Sequence, residues 1–371
     1  MKVLWLGHYG ETSGWGDAAI HSILALDSVG VEVVPVNIPL AGGNRELPPR
    51  IKQLEANDRD DADVCVQNIL PHHMVATDKY RKNVAYIVTE TSTLLHTPWI
   101  TPLQSMTEIW VPNTTNEKNI QMDLPLKVVK TIPYVFNREE YESVYDSIDM
   151  GVANSTYKFY YIGDLNDRKN LEATFRCFHA TFAGNPNVSL VLKVGKFGAS
   201  DEEIVQHTKS ISDGVKAQLR IFPDPSYYSP EVIIPHRLSR SELLSLHTTC
   251  DCYVSTSHGE GWSIPAFEAL CMGNQVIAGN EGGPKDFLPE ACLIDGTYGP
   301  CSHQNPAFPF LGTGREMWFN INERIVCIAM QNAYANRNDK CLADKRRMQA
   351  REAMDAYSYY SIGKLIEQEL S

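Results

Sequence analysis

Two carboxylates frame the most chemically suggestive stretch of the chain, STSHGEGWSIPAFEALCMGNQVIAG. Residues Asp251–Thr256 read as a strand, followed by a small-residue loop and a helix that begins near Pro265. Proline suits the first helical turn, Ser263 can cap it, and Gly273 can end it. A helix N-terminus with its loop amides, here those of Gly261, Trp262, Ser263 and Ile264, attracts anions. Glu260 sits in that loop, and Glu268 sits inside the helix. A carboxylate accepts hydrogen bonds from sugar hydroxyls, so two carboxylates placed this way can grip two different polyols. Ala266, Phe267, Ala269 and Leu270 make the helix largely apolar, so a Glu268 buried in it needs partners.

A second glycine-rich turn, GHYGETSGWGDAAI, follows the first apolar run. Gly7, Gly10, Gly14 and Gly16 crowd the loop before a helix, where glycine lets backbone approach a ligand. The dinucleotide fingerprint G-x-G-x-x-G needs a third glycine and an acid at the end of the second strand. Gly14-Trp15-Gly16 is followed by Asp17-Ala18-Ala19, and the second strand ends in Val36-Asn37. A nicotinamide cofactor is therefore disfavoured. Lys193 ends a strand in LVLKVG and can add positive charge at a cleft. Asp58-Arg59-Asp60-Asp61 lies in a polar loop, Cys250-x-Cys252 lacks matching ligands, and His72-His73 stands alone. None of the three reads as a metal site, and no metal is expected.

The elements that must position these residues alternate between strand and helix. Lys2–Leu6, Val31–Val36, Asp63–Asn68, Val84–Val88, Glu108–Val111 and Leu126–Ile132 are short β-rich runs, several apolar nearly throughout. Such runs fit strands buried on both faces of a parallel sheet. Lys158–Ile162, Val188–Val194, Asp251–Thr256, Gln275–Ala278 and Ala291–Ile294 repeat the pattern, with helices at Asn170–Phe182, Arg240–Thr248 and Pro265–Met272. Asn137–Thr156 is polar and reads as a link; Pro223–Pro235 and Gly296–Gly314 read as loops. The expected architecture is α/β, two doubly wound domains over residues 1–150 and 151–355 with a cleft between them. A closing helix at 356–371 is expected to return to the first domain. Ligands in such folds sit beyond the C-terminal strand ends.

The 371 residues suit two domains, and a formal net charge of -12 argues against duplex nucleic acid as the main partner. Nine scattered cysteines read as reduced thiols in a cytoplasmic protein. No signal peptide or membrane span is visible. Lys345, Arg346 and Arg347 read as a solvated helix face.

EGWSIPAFEAL followed by GNQVIAG resembles the E-x7-E signature of retaining GT-B glycosyltransferases, specifically glycosyltransferase family 4. YIGDLNDRKNLEATF resembles that family's phosphate-binding segment. ETSTLLHTPWI with EIWVPNTTN resembles its first-domain run, and RLSRSELLSLHTTCDCYVSTS its lead-in to the signature. The ordered set covers most of the chain. The resemblance implies a nucleotide-sugar co-substrate, UDP- or GDP-linked, held mainly by the second domain, with no further cofactor. It implies that Glu268 binds ribose hydroxyls, Glu260 holds donor-sugar hydroxyls, and Lys169 neutralises the departing diphosphate. Gly163 lies in the phosphate-binding segment. Gly14 and Gly16 approach the donor from the first domain, and Gly282 and Gly283 offer amides near its sugar. Members often carry Arg where this chain has Asp164, and Arg168 can supply the lost charge. Ser263 stands where Gly is common, which is expected to improve the cap. Glu90, Thr91 and His96 follow a buried strand end and are candidates for the acceptor side. The acceptor stays open among glycan, lipid, protein and hydroxylated nucleobase. The departure at Asp164 keeps a second reading alive, a GT-B module that binds a nucleotide or partner without efficient transfer.

Overall fold

Six apolar runs of the N-terminal half pair as one parallel sheet in the computed structural model, which describes residues 1–40, 45–301 and 311–371. They are β1 (Lys2–Gly7), β2 (Glu32–Asn37), β3 (Val64–Asn68), β4 (Lys82–Tyr86), β5 (Glu108–Val111) and β6 (Val128–Thr131). Their order is β2-β1-β3-β4-β5-β6, with Val3 opposite both Val33 and Val64. All neighbours run parallel. Val3, Trp5, Val33, Val66, Val84 and Ile109 are wholly buried. That pattern is what a sheet covered on both faces requires.

Six further strands build a second parallel sheet: β7 (Tyr157–Asp164), β8 (Val188–Gly195), β9 (Glu231–Ile234), β10 (Cys252–Val254), β11 (Gln275–Gly279) and β12 (Leu293–Ile294). Their order is β12-β11-β10-β7-β8-β9, again parallel throughout. Phe159, Phe175, Phe178, Leu190, Leu192, Val254, Val326 and Met330 form the heart of its core. In each sheet the chain leaves one strand sideways and later returns on its other side, at β1/β3 and at β7/β10. Such switch points open a crevice at the C-terminal strand ends.

The chain divides into two units, Met1–Glu140 with Pro300–Met317 and Glu352–Ser371, and Tyr141–Gly299 with Trp318–Arg351. Pro300–Met317 was not expected in the first unit. Its end is tied to the loop after β4: Met317 N–H donates to Ser92 Oγ (2.9 Å), Ser92 N–H donates to Met317 O (3.3 Å), and Arg315 bonds His96 (2.7 Å). The closing helix runs Tyr359–Leu370, capped by Ser358, and packs on the helix Gly14–Ser28. A Cβ on Gly363 would lie 2.4 Å from Ala25 O, so the two backbones approach closely there.

Two stretches expected to be loops contain strands. Within Pro223–Pro235, the run Glu231–Ile234 is the edge strand β9; its four residues are hidden in the sequence by the flanking prolines Pro230 and Pro235. Within Gly296–Gly314, Gly296–Pro300 pairs with Met317–Ile321 as a two-stranded ribbon; residues 302–310 lie outside the described residues. Among the described residues no helix is long and apolar enough to cross a membrane. Arg346 in the helix Lys340–Ala356 donates to Gly273 O (3.2 Å), while Lys345 and Arg347 are exposed.

Candidate active site

The loops after β7 and β10 leave adjacent strands at the second sheet's switch point and are laced together. Asn166 accepts from Lys169 N–H (3.1 Å) and closes a single 3-10 turn over Asp167–Lys169. Asn170, left-handed at φ 48°, turns the chain into the helix Leu171–Phe182 and donates from its amide to Thr256 O (3.1 Å). Arg168 O accepts from His258 N–H (2.8 Å) and Ser257 Oγ (3.1 Å). Lys169 and the carboxylate loop are thereby fixed to one another.

The ionic centre is compact. Lys169 Nζ lies 2.6 Å from Glu260 Oε1, and Arg168 Nη1 lies 3.7 Å from Oε2 while donating to Gly259 O at 2.5 Å. The Glu260 side chain is only 10% exposed. Burial pushes its carboxyl up, but Lys169 and then Arg168 outweigh burial and hold it below the usual glutamate range. Two cations against one carboxylate leave the cluster net positive. The sequence-predicted Glu260, Lys169 and Arg168 thus meet in one place. Asp164, the departure that raised doubt, is exposed, with Oδ1 3.3 Å from where a Gly195 Cβ would stand. It leans towards β8.

Gly282 and Gly283 support this loop from below. Gly282 has φ 63°, and a Cβ there would fall 2.1 Å from Glu260 O. A Cβ on Gly283 would fall 2.4 Å from Trp262 Cα, and its N–H donates to Glu260 O (3.1 Å). The Gly283 amide is therefore engaged in holding the loop. Gly163 likewise serves packing, since a Cβ there would meet Tyr161 Oη at 2.7 Å.

The helix after the loop spans Ile264–Cys271, with Gly273 just beyond it at φ 78°. Gly261, Trp262 and Ser263 are buried, and Ile264 is half-buried. Ser263 corrects an expectation. It stands at the N-cap, but left-handed (φ 69°), and its side chain makes no cap hydrogen bond. A side-chain cap needs extended backbone at that residue; the turn here demands the geometry that glycine adopts without strain.

Glu268 is 1% exposed and has the partners that its burial requires. Arg240 pairs with Oε1 and His247 Nε2 lies 3.2 Å from Oε2. Burial opposes ionisation, yet Arg240 and His247 prevail and bring the carboxyl down to about 2. His247 Nδ1 meets Tyr160 Oη (2.6 Å), which also accepts from Asn274 (2.8 Å). Arg240, His247, Tyr160 and Asn274 were not picked out from sequence. Only the need for partners was legible, because no spacing rule links residues so far apart.

Lys193 is half-buried, its Nζ bonds Val194 O (3.1 Å), and burial lowers its pKa despite Asp164 and Asp201. In the first unit, Gly14 opens the helix Gly14–Ser28 and Gly16 is buried in its first turn, where a Cβ would strike Glu11 O at 2.2 Å. Thr91 Oγ1 bonds Thr93 O (3.3 Å) and His96 bonds Arg315 (2.7 Å) in the loop after β4, where Glu90 is exposed. His72 Nδ1 accepts from Trp99 Nε1 (3.1 Å). Among the described residues no group of three or more His, Cys, Asp or Glu side chains is arranged to hold a metal.

Two parallel-sheet, Rossmann-like units with charged loops at a switch point define the GT-B fold. Residues 149–292 match the family Glycosyl transferases group 1. HepE of Anabaena, solved with UDP-glucose, is 14% identical with a TM-score of 0.66, covering 100% of this chain and 99% of its own. Sucrose-phosphate synthase of Thermosynechococcus elongatus is 13% identical (TM-score 0.64, 100% and 98% covered). The trehalose-6-phosphate synthase OtsA is 10% identical (TM-score 0.67, 100% and 99% covered). No curated protein sequence matches the chain.

Proposed function

We propose that the protein is a retaining glycosyltransferase that takes a sugar from a UDP- or GDP-sugar to a hydroxyl acceptor. The observation that carries this is the Lys169–Glu260 pair, reinforced by Arg168, at the switch point of a sheet whose region matches Glycosyl transferases group 1. HepE, of the same fold, was solved with UDP-glucose, and with UDP and glucose. Lys169 and Arg168 meet the diphosphate and stabilise the negative charge that grows on it as the glycosidic bond breaks. Fixed cations at such a point lower the barrier because they need no reorganisation. Glu260, released from Lys169, accepts hydrogen bonds from the sugar's hydroxyls. A carboxylate offers about four lone-pair sites. Arg240 and His247 occupy two on Glu268, leaving two for the ribose, and Arg240, whose side chain is 40% exposed, frees another where it gives way. The departing phosphate helps to take the acceptor's proton on the face it leaves, which retains the anomeric configuration; no protein base is assigned. Charge supplied by Lys169 and Arg168 serves in place of a metal. The first unit's loops after β1 and β4, carrying Gly14, Gly16, Glu90, Thr91 and His96, are assigned to the donor's outer edge and to the acceptor. The scattered cysteines, free thiols in the structure, support a cytoplasmic setting as well.

The test is a panel of UDP- and GDP-sugars, scored for saturable binding and for slow hydrolysis with water as acceptor. One donor should bind and turn over, and Lys169→Ala should lose at least about 100-fold in turnover while staying folded. Failure of the whole panel to bind sinks the function; unchanged turnover in Lys169→Ala sinks the residue assignment.

A further inference from the structure

Tyr161 stands on β7 two residues before Gly163, and its ring is buried, 1% exposed. Side chains two apart on a strand share a face. The missing Cβ of Gly163 makes room for the phenol, whose Oη would otherwise lie 2.7 Å from it. The hydroxyl therefore lies beside Gly163, near the C-terminal end of β7 and a few residues before the Asp167–Lys169 turn. Among the described residues Tyr161 Oη has no hydrogen-bond partner. Buried tyrosine hydroxyls ordinarily find one, and leaving one unmatched costs stability. Phenylalanine would fill the same space without that cost. Burial, then Tyr253 and Glu260, hold the phenol well above its ordinary range, so it is a neutral proton donor at any working pH.

Glu260, whose charge already bears on the Tyr161 phenol, is an acid that stands to lose its partner. In the free protein Lys169 Nζ sits 2.6 Å from it. When Lys169 turns to a diphosphate, a carboxylate only 10% exposed loses its nearest cation and is left with Arg168 at 3.7 Å and the Ser257 hydroxyl. A buried charge deprived of its partner is strongly unfavourable. We propose that Tyr161 is a positioning residue for Glu260, its hydroxyl donating to the carboxylate when Lys169 leaves it. The inference rests on the reading of Lys169 as the diphosphate's cation, and it deepens that reading. The free protein carries an idle donor because the bound protein needs it.

The test is a double-mutant cycle on the full chain, measured as urea unfolding of the wild type, Tyr161→Phe, Lys169→Met and the double variant. Lys169→Met strips Glu260 of its nearer cation without any ligand. In the wild-type background Tyr161→Phe should leave the unfolding midpoint unchanged or raise it. In the Lys169→Met background it should lower stability, with a coupling of about tenfold in the unfolding constant, the weight of one hydrogen bond to a charge. An additive cycle overturns the inference. In a second arm UDP and GDP are titrated by calorimetry; Tyr161→Phe should bind the preferred nucleotide about tenfold more weakly. Equal affinity overturns the inference too. If the wild type binds neither nucleotide, the diphosphate reading fails, and the cycle alone decides the role of Tyr161.

Discussion

Arg240→Met should destabilise the second unit near neutral pH and do so progressively less on acidification. Glu268 is 1% exposed and is held at about 2, against 4.5 for an ordinary glutamate. At about 1.4 kcal/mol per unit, that gap corresponds to about 3 kcal/mol. Arg240 supplies the largest opposing influence, but its side chain is 40% exposed, so solvent screens part of the interaction. Removing it should cost about 1–2 kcal/mol near pH 7. The sign follows from linkage. A carboxyl depressed in the folded state contributes stability that is present above its unfolded value, and that is lost as pH falls from about 5 towards 2. In Arg240→Met, burial again dominates and the folded value rises, so protonation relieves the variant earlier. The difference between variant and wild type should therefore shrink between about pH 7 and pH 4. Urea unfolding at several pH values measures it, with amide exchange in the helix Ile264–Cys271 assigning the transition. A destabilisation that stays constant with pH would refute the account of Glu268.

Ser263→Gly should be neutral or stabilising by up to about 1 kcal/mol. The left-handed backbone costs a non-glycine residue about 1–2 kcal/mol, offset by the extra freedom of glycine in the unfolded chain, about 0.4–1 kcal/mol. Ser263 makes no cap bond that the change would remove. A clear loss in melting temperature would show that its hydroxyl matters more than its backbone. Glu260→Ala should separate binding from transfer. Lys169, freed from Glu260 in the unliganded protein, should bind bare UDP or GDP more tightly, by roughly tenfold, while sugar transfer falls. Weaker nucleotide binding in Glu260→Ala, by calorimetry, would mean that Lys169 depends on Glu260 for its position.

The six strands of the first sheet and five of the second were readable because both faces are covered and apolar residues run consecutively through them, as in Val3–Leu6 and Leu190–Leu192. The helix Asp201–Leu219 was not picked out, because two of its four buried residues, Thr208 and Ser212, are polar and blur the apolar period. Its start was signalled only by the Ser200–Glu203 capping box. The loop ions Lys169, Arg168 and Glu260 were legible because each lies in a short motif. What spacing could not convey is that they already satisfy one another. The site's strongest donor is engaged by its own carboxylate, Gly283 N–H by Glu260 O, and Glu268 by Arg240 and His247. Ligand binding here is exchange, not addition, so affinity is set by the difference between the pairs broken and the pairs formed. The same logic answers the question raised by a net charge of -12. Overall charge governs long-range steering. An anion at this site competes instead with one buried carboxylate for one lysine, and the outcome depends on what is left to hold that carboxylate afterwards.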